Sequence, residues 1–140
     1  MVDFHQEGTI ATLHGLHGLC DGEEYLQYIE RKLETYSRDV KIALLLPCLY
    51  TELKRTDVFG RIIDEISRVK YLHSVVVAFG GTTDESIFHE ARDYFRRLGV
   101  NGCKVTLVWV EGPRVQRVFE EMCRRNIPVG ERGKGQSVWV

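Results

Sequence analysis

The hydrophobic pattern divides the chain into short apolar runs separated by helical periodicities. The runs lie at 41–47 (KIALLLP), 74–79 (SVVVAF) and 104–110 (KVTLVWV), and none of them alternates with polar residues. A strand has this pattern when both of its faces are covered, as in a parallel sheet with helices on either side. The pattern therefore predicts three buried parallel strands. We expect the first strand to end at Pro47, because proline has no N–H to donate to a neighbouring strand.

Helical periodicity follows each predicted strand and also precedes the first one, at about 22–37. In this leading helix Leu26, Ile29, Leu33 and Tyr36 share one side. The predicted apolar faces of the other helices are Val58, Ile62, Ile66 and Val69, then Ile87, Ala91, Tyr94, Phe95 and Leu98, then Val115, Val118, Phe119 and Met122. We expect Asp57 to cap the first of these three helices, and Thr82 or Thr83 to cap the second.

Parallel strands joined by helices require right-handed crossovers, so this element order predicts an α/β fold. The specific expectation is a Rossmann-like three-layer half-domain. At 140 residues a single domain over 1–140 is the natural count, and a chain of this length can bury a core.

Charge and composition exclude several classes of function. The formal net charge is −1, so no global field attracts nucleic acid or an anionic membrane. Basic residues cluster near the last helix, but acidic residues lie among them, which is typical of a solvated helix face. These residues are Arg114, Arg117, Arg124 and Arg125 with Glu111, Glu120 and Glu121.

The sequence contains neither a targeting signal nor a long apolar stretch, so we expect a cytoplasmic protein without a membrane span. The four cysteines have no Cys-x-x-Cys spacing and are expected to be reduced thiols. His14 and His17 could share one helix face, but no third ligand lies nearby, so no metal site is predicted.

Candidate chemistry lies in the loops that follow the strands, because an open parallel sheet binds ligands beyond its carboxyl ends. Glu52 follows the first strand and could accept a hydrogen bond from a base or a ribose hydroxyl. Gly80 and Gly81 follow the second strand, where backbone can approach a ligand and a helix N-terminus can face an anion. Lys134, held between Gly133 and Gly135, suits a phosphate or diphosphate.

Each loop also has a simpler interpretation. Glu52 could be merely exposed, the two glycines could serve turn geometry, and the Gly-Lys-Gly segment could be a solvated turn. Dinucleotide fingerprints, P-loops and a phosphorylatable aspartate at a strand end are all missing from the sequence.

Taken together, these loops resemble GT-A glycosyltransferases. The carrying motifs are a first strand that ends in PCLYTE, a second that ends in Gly-Gly-Thr-Thr-Asp, and a later GKG followed by a tryptophan. The similarity is strongest to the branch that includes glucosyl-3-phosphoglycerate and mannosylglycerate synthases, and it covers roughly residue 37 to the end. It implies the nucleotide-sugar-binding N-terminal half of such an enzyme, acting on a UDP- or GDP-sugar.

The resemblance also implies roles for single residues. Pro47, Cys48, Leu49 and Glu52 would line the base and ribose pocket, Gly80 and Gly81 would lie beside the nucleotide, and Gly133 and Lys134 would face the diphosphate. Two features depart from the family pattern. The first loop carries one carboxylate where the family has an Asn-Glu pair, and the acidic residue expected at the end of the second strand is replaced around Ala78.

A catalytic centre is not expected within these residues. The family holds a divalent cation, Mg²⁺ or Mn²⁺, with an Asp-x-Asp motif after the lysine loop, and no Asp-x-Asp triplet occurs in this sequence. We therefore expect a cation only in a longer enzyme, and the chain to be inactive alone and truncated before that motif. Its partners would be the missing C-terminal half or, through the apolar end at Val138, Trp139 and Val140, a second copy in a homodimer. The alternatives are a non-catalytic Rossmann-like binding or assembly module, and a small-molecule transferase that uses another nucleotide.

Overall fold

The computed structural model describes residues 22–130 and Val138. Three strands and five α-helices follow one another in this range. They are α1 (Glu23–Tyr36), β1 (Ile42–Leu49), α2 (Tyr50–Leu53), α3 (Thr56–Arg68), β2 (Leu72–Gly80), α4 (Glu85–Phe95), β3 (Lys104–Trp109) and α5 (Pro113–Arg124). A 3₁₀ segment, Arg96–Gly102, links α4 to β3.

The three described strands form one parallel sheet in the order β1-β2-β3. Leu44 is paired with Val75, and Val75 in turn with Val105, so β2 is the central strand. The structure confirms the predicted α/β class and the parallel direction of all three strands. Because a parallel sheet places every carboxyl end at the same edge, the three loops that follow the strands converge there.

The bounds of the strands differ from the predicted ones, most clearly at Pro47. The prediction that Pro47 ends β1 is wrong, because the strand continues to Leu49 and Pro47 is paired with Ala78. Among the described residues β1 has only one neighbouring strand, and an edge strand tolerates a residue that lacks an N–H donor. The second strand begins earlier than predicted, at Leu72, and the third ends one residue sooner, at Trp109.

One face of the sheet carries the larger described core. Val75, Val77 and Phe79 of β2 point to this face and are fully buried against α3, α4 and the 3₁₀ segment. Alternation along the strand places these three residues on the same side. The helical residues that complete the cluster are Phe59, Ile63, Ala91, Phe95 and Leu98, with Cys48 from β1.

The opposite face is covered by α5 near the carboxyl ends of the strands. Ala78 and Val110 pack there against Phe119, with Val115 and Met122 partly buried beside them. Leu45, on the same face of β1 but further from the ends, is 42% exposed. Helices therefore cover both faces of the described sheet, which is the layering of a Rossmann-like half-domain.

The predicted apolar faces were correct for α4 and partly wrong for α3. Ala91 and Phe95 of α4 are buried as expected, and Leu98 is buried in the 3₁₀ segment. In α3, however, Val58 and Ile62 are both more than 40% exposed, whereas Phe59 and Ile63 enter the core. Val118 of α5 is likewise exposed rather than buried.

The leading helix, α1, has no buried residue, and the predicted apolar side is largely open. Leu26 and Tyr36 are exposed, and an open groove of about 600 Å³ runs along Tyr28, Leu33 and Tyr36. This groove lies on α1 and the turn after it, so it is not part of the edge where the strands end. None of the helices in the described residues is both long enough and apolar enough to cross a membrane.

Candidate functional site

The ends of β1 and β2 meet closely at the carboxyl edge of the sheet. Leu49 is the register partner of Gly80. A Cβ atom added to Gly81 would lie 3.4 Å from the backbone nitrogen of Tyr50 and 3.7 Å from Cδ2 of Leu49. The structure thus brings Leu49, Gly80 and Gly81 together at this edge, where the lack of side chains lets the glycine backbone lie against Leu49.

The Glu52 carboxylate turns back towards its own strand. Its Oε2 accepts a hydrogen bond of 2.9 Å from the Leu49 N–H, which closes the short turn of α2 onto the end of β1. Glu52 also borders a groove of about 260 Å³ with Pro47 and Arg55. The side chain is therefore at the expected edge, but one of its oxygens is engaged with the backbone.

Cys48 is placed differently from the other residues of this loop. Its side chain is 1% exposed and belongs to the core cluster under β2. It alternates with Pro47 and Leu49, which lie on the other face of the sheet. The Cys48 side chain consequently offers no surface to a ligand in this structure, so the pocket lining expected from the resemblance rests on Pro47, Leu49 and Glu52.

The β2–α4 turn is held by its own polar groups. Gly81 has a φ of 84°, a left-handed conformation that favours glycine. The N-cap of α4 is Asp84, not the predicted Thr82 or Thr83, and its Oδ1 accepts hydrogen bonds from the Ser86 N–H at 2.8 Å and from the Ser86 hydroxyl at 2.7 Å. These two hydrogen bonds, the side-chain one first, hold the pKa of Asp84 below its ordinary value. Thr82 instead accepts at Oγ1 from the Asp84 N–H.

Glu111 is the residue at this edge that the sequence reasoning missed. The charge pattern predicts it on the solvated face of the last helix, but it precedes α5, and its Oε1 accepts a 3.0 Å hydrogen bond from the Gly81 N–H. Both carboxylate oxygens lie 3.4 Å from the position that a Cβ of Gly80 would occupy. The signal that could have found it is its place directly after β3, where the strand ends converge.

Trp109 connects the same two loops from the β3 side. Its indole Nε1 donates a 2.8 Å hydrogen bond to the Thr82 carbonyl. The ring stacks on Phe88 with centroids 5.1 Å apart, and Gly112 packs against the ring as well. A groove of about 360 Å³ is lined by both rings of this stack, together with Glu85 and Arg114.

The remaining residues considered in the sequence analysis add little to this site. Gly133 and Lys134 lie outside the described residues, as do His14, His17, Trp139 and Val140; Val138 is described and is exposed. Cys103 stands at the amino end of β3, and burial raises the pKa of its thiol, which argues against a thiolate nucleophile there. Within 22–130 no three histidine, cysteine, aspartate or glutamate side chains come together as cation ligands.

The fold and this edge define a Rossmann-like α/β half-domain with its candidate site at the carboxyl ends of three parallel strands. The chain is similar over its full length to two proteins named glucosyl-3-phosphoglycerate synthase. It is 31% identical to the one from Persephonella marina, over all of this chain and 32% of that protein. It is 29% identical to the one from Methanococcoides burtonii, over 99% of this chain and 32% of that protein.

The chain thus spans about a third of the length of the curated relatives it matches. No family model matches the sequence, and no solved structure matches it. The similarity agrees with the resemblance found in the loop motifs, since both lead to the same kind of synthase.

Proposed function

We propose that this chain is the part of a glycosyltransferase that binds the sugar donor, a UDP- or GDP-sugar. The observation that carries the proposal is the similarity along the whole chain to glucosyl-3-phosphoglycerate synthases. The name of these relatives makes a glucosyl donor and a 3-phosphoglycerate acceptor the first substrates to test.

The geometry of the carboxyl edge supports binding of the nucleoside part of such a ligand. Gly81 presents exposed backbone beside Leu49, and the Glu52 carboxylate lies at the same edge, whereas Gly80 is buried next to the Glu111 carboxylate. Glycine backbone and a carboxylate acceptor suit a group that carries hydroxyl and N–H donors, as a ribose and a base do. Lys134 would then meet the diphosphate as a point charge.

Donor binding is the proposed role of this chain, and a metal-dependent step is not part of that role. A divalent cation beside the diphosphate would supply charge stabilisation for the leaving group. The described residues do not offer a cluster of ligands for such an ion. The proposal is therefore confined to binding of the sugar donor, and transfer itself is assigned to a longer protein or to a partner that brings the cation ligands.

The rival function is a Rossmann-like binding or assembly module without chemistry. One observation favours it: several polar groups of the edge are already paired within the chain. The Gly81 N–H is bonded to Glu111, and the Leu49 N–H to Glu52. A module that only keeps the shape of the fold would be expected to pair such groups internally.

Titration calorimetry with UDP-glucose and GDP-glucose tests the proposal on the full-length protein. We expect Lys134→Ala to weaken binding by about ten- to a hundredfold, the effect of losing one charge-assisted hydrogen bond. The melting temperature should change little, because a lysine between two glycines in the sequence is expected to support little packing. Lys70→Ala is the matched control, since Lys70 is exposed and lies just before β2, at the opposite edge of the sheet.

Two results would count against the proposal. Equal affinity of the wild type and Lys134→Ala for both nucleotide sugars would remove the diphosphate role of the lysine and favour the rival module. No measurable binding of either nucleotide sugar to the wild type, with the cation supplied, would remove the function itself.

A further inference from the structure

The β2–α4 turn is held by the end of β3 and by the loop between β3 and α5. Glu111 reaches it across 30 residues of sequence and accepts the hydrogen bond of the Gly81 N–H. Two residues before Glu111, Trp109 donates to the Thr82 carbonyl. The turn is therefore fixed at two successive residues, through the N–H of Gly81 and the carbonyl of Thr82.

The supports of Trp109 make this attachment rigid. The indole is stacked on Phe88 of α4 and contacts Gly112, so its N–H has little freedom to leave the Thr82 carbonyl. Such a ring, with its one polar group paired, is a firm anchor for a neighbouring loop. The position of Glu111, two residues later, follows from that anchor.

The second oxygen of Glu111 is unusual for a side chain with only a structural purpose. Oε2 is buried and has no hydrogen-bond partner among the described residues. A buried acceptor without a partner lowers stability, so Oε2 offsets part of what the Oε1 hydrogen bond contributes to the fold. A loss of stability of this kind is expected where a carboxylate shapes a ligand-binding edge.

We propose that Glu111 is a positioning residue for nucleotide-sugar binding, acting through the Gly81 amide. This inference rests on the proposed function. The carboxylate holds Gly81 in its left-handed conformation against Leu49 and Tyr50, and so sets the surface that the nucleoside meets. Because the carboxylate is negative and already occupies this N–H, the diphosphate is directed away from the turn.

The test compares Glu111→Ala with Glu111→Gln in the full-length protein, by titration calorimetry with UDP-glucose and GDP-glucose. The amide oxygen of glutamine can still accept from the Gly81 N–H, whereas alanine cannot. We expect Glu111→Ala to weaken binding about tenfold and Glu111→Gln to stay within about threefold of the wild type. The Gly81 amide resonance in a ¹H–¹⁵N spectrum should move upfield in the alanine variant and much less in the glutamine variant.

Two controls separate positioning from stability and from charge. Val75→Ala removes buried atoms from the amino-terminal half of β2, so it should lower the melting temperature and leave the affinity unchanged. Glu120→Ala removes an exposed carboxylate from α5 and should change neither quantity.

The outcomes distinguish this inference from the function on which it rests. If the wild type binds a nucleotide sugar and Glu111→Ala binds it equally well, Glu111 has no positioning role, while the proposed function stands. If affinity falls in Val75→Ala as much as in Glu111→Ala, the effect is one of stability and the inference is also wrong. If the wild type binds neither nucleotide sugar, the proposed function fails and the ligand role of Glu111 fails with it.

Discussion

Gly112 is the residue at which the loop between β3 and α5 comes closest to its neighbours. A Cβ atom there would lie 2.8 Å from Cε3 and 2.9 Å from Cδ2 of the Trp109 indole. These ring atoms are held by the stack on Phe88 and by the hydrogen bond to Thr82, so they cannot move away freely. At the scale of single residues, the edge therefore depends on the absence of a side chain as much as on the groups that are present.

We expect Gly112→Ala to lower the free energy of unfolding by about 1–3 kcal/mol, the usual cost of forcing extra atoms into a packed site. Chemical denaturation measures this cost. Gly99→Ala is the control, because a Cβ atom there would meet Val105 Cγ2 at 3.8 Å, an ordinary contact. Equal stability of the two variants would mean that the Trp109 ring is not fixed as described.

At the scale of elements, α4 begins where the candidate site ends. Asp84 caps this helix and holds both the N–H and the hydroxyl of Ser86. The pKa of Asp84 is lower in the folded chain than its ordinary value, so the unfolded chain binds the proton more readily. The stabilisation from this cap is thus fully present above the ordinary pKa and is lost as the pH falls through the lowered one.

Asp84→Asn should accordingly remove part of the acid sensitivity of folding. Urea midpoints at about pH 6 and about pH 3 would measure it, since an aspartate ordinarily titrates near pH 4. We expect the loss of stability between these two pH values to be smaller in Asp84→Asn than in the wild type. Asp39→Asn serves as the comparison, and an identical acid dependence for wild type and Asp84→Asn would contradict the capping argument.

At the scale of the whole molecule, the sheet has two unequal faces. The face towards α3 and α4 holds Val75, Val77 and Phe79, each fully buried. Among the described residues, the other face is covered by α5 only near the strand ends, and Leu45 is 42% exposed there. Alanine substitutions at neighbouring residues of one strand should therefore lower the free energy of unfolding by very different amounts.

Val77→Ala should lower the free energy of unfolding by about 2 kcal/mol or more, from lost burial and a cavity. Val76→Ala, the adjacent residue on the half-buried face, should cost about 1 kcal/mol or less. Both values come from denaturation curves of otherwise identical proteins. A larger loss for Val76→Ala would invert the assignment of the two faces and with it the packing of α3 and α4.

Local pattern was sufficient for the strands and for most helices. Each strand contains the apolar run predicted for it, although the expected burial on both faces is not met along β1 and β3, where Leu45 and Thr106 are exposed. It was not sufficient for the face of α3, where Val58 and Phe59, and again Ile62 and Ile63, offer two neighbouring apolar stripes. Periodicity cannot choose between such stripes, and contact with β2 and α4 made the choice.

The sequence by itself determined the α/β class, the parallel strands and the placing of the candidate loops after the strands, because these follow from the order of hydrophobic runs and helical periodicities. Only the tertiary structure decided that Pro47 stays within β1, that Cys48 turns into the core, and that Glu111 reaches the Gly81 amide. The physical reason is the same in each case. Each outcome depends on which elements become neighbours, and no local pattern encodes that. This holds for the edge position of β1, for the face of the strand to which a side chain points, and for a contact across 30 residues of sequence.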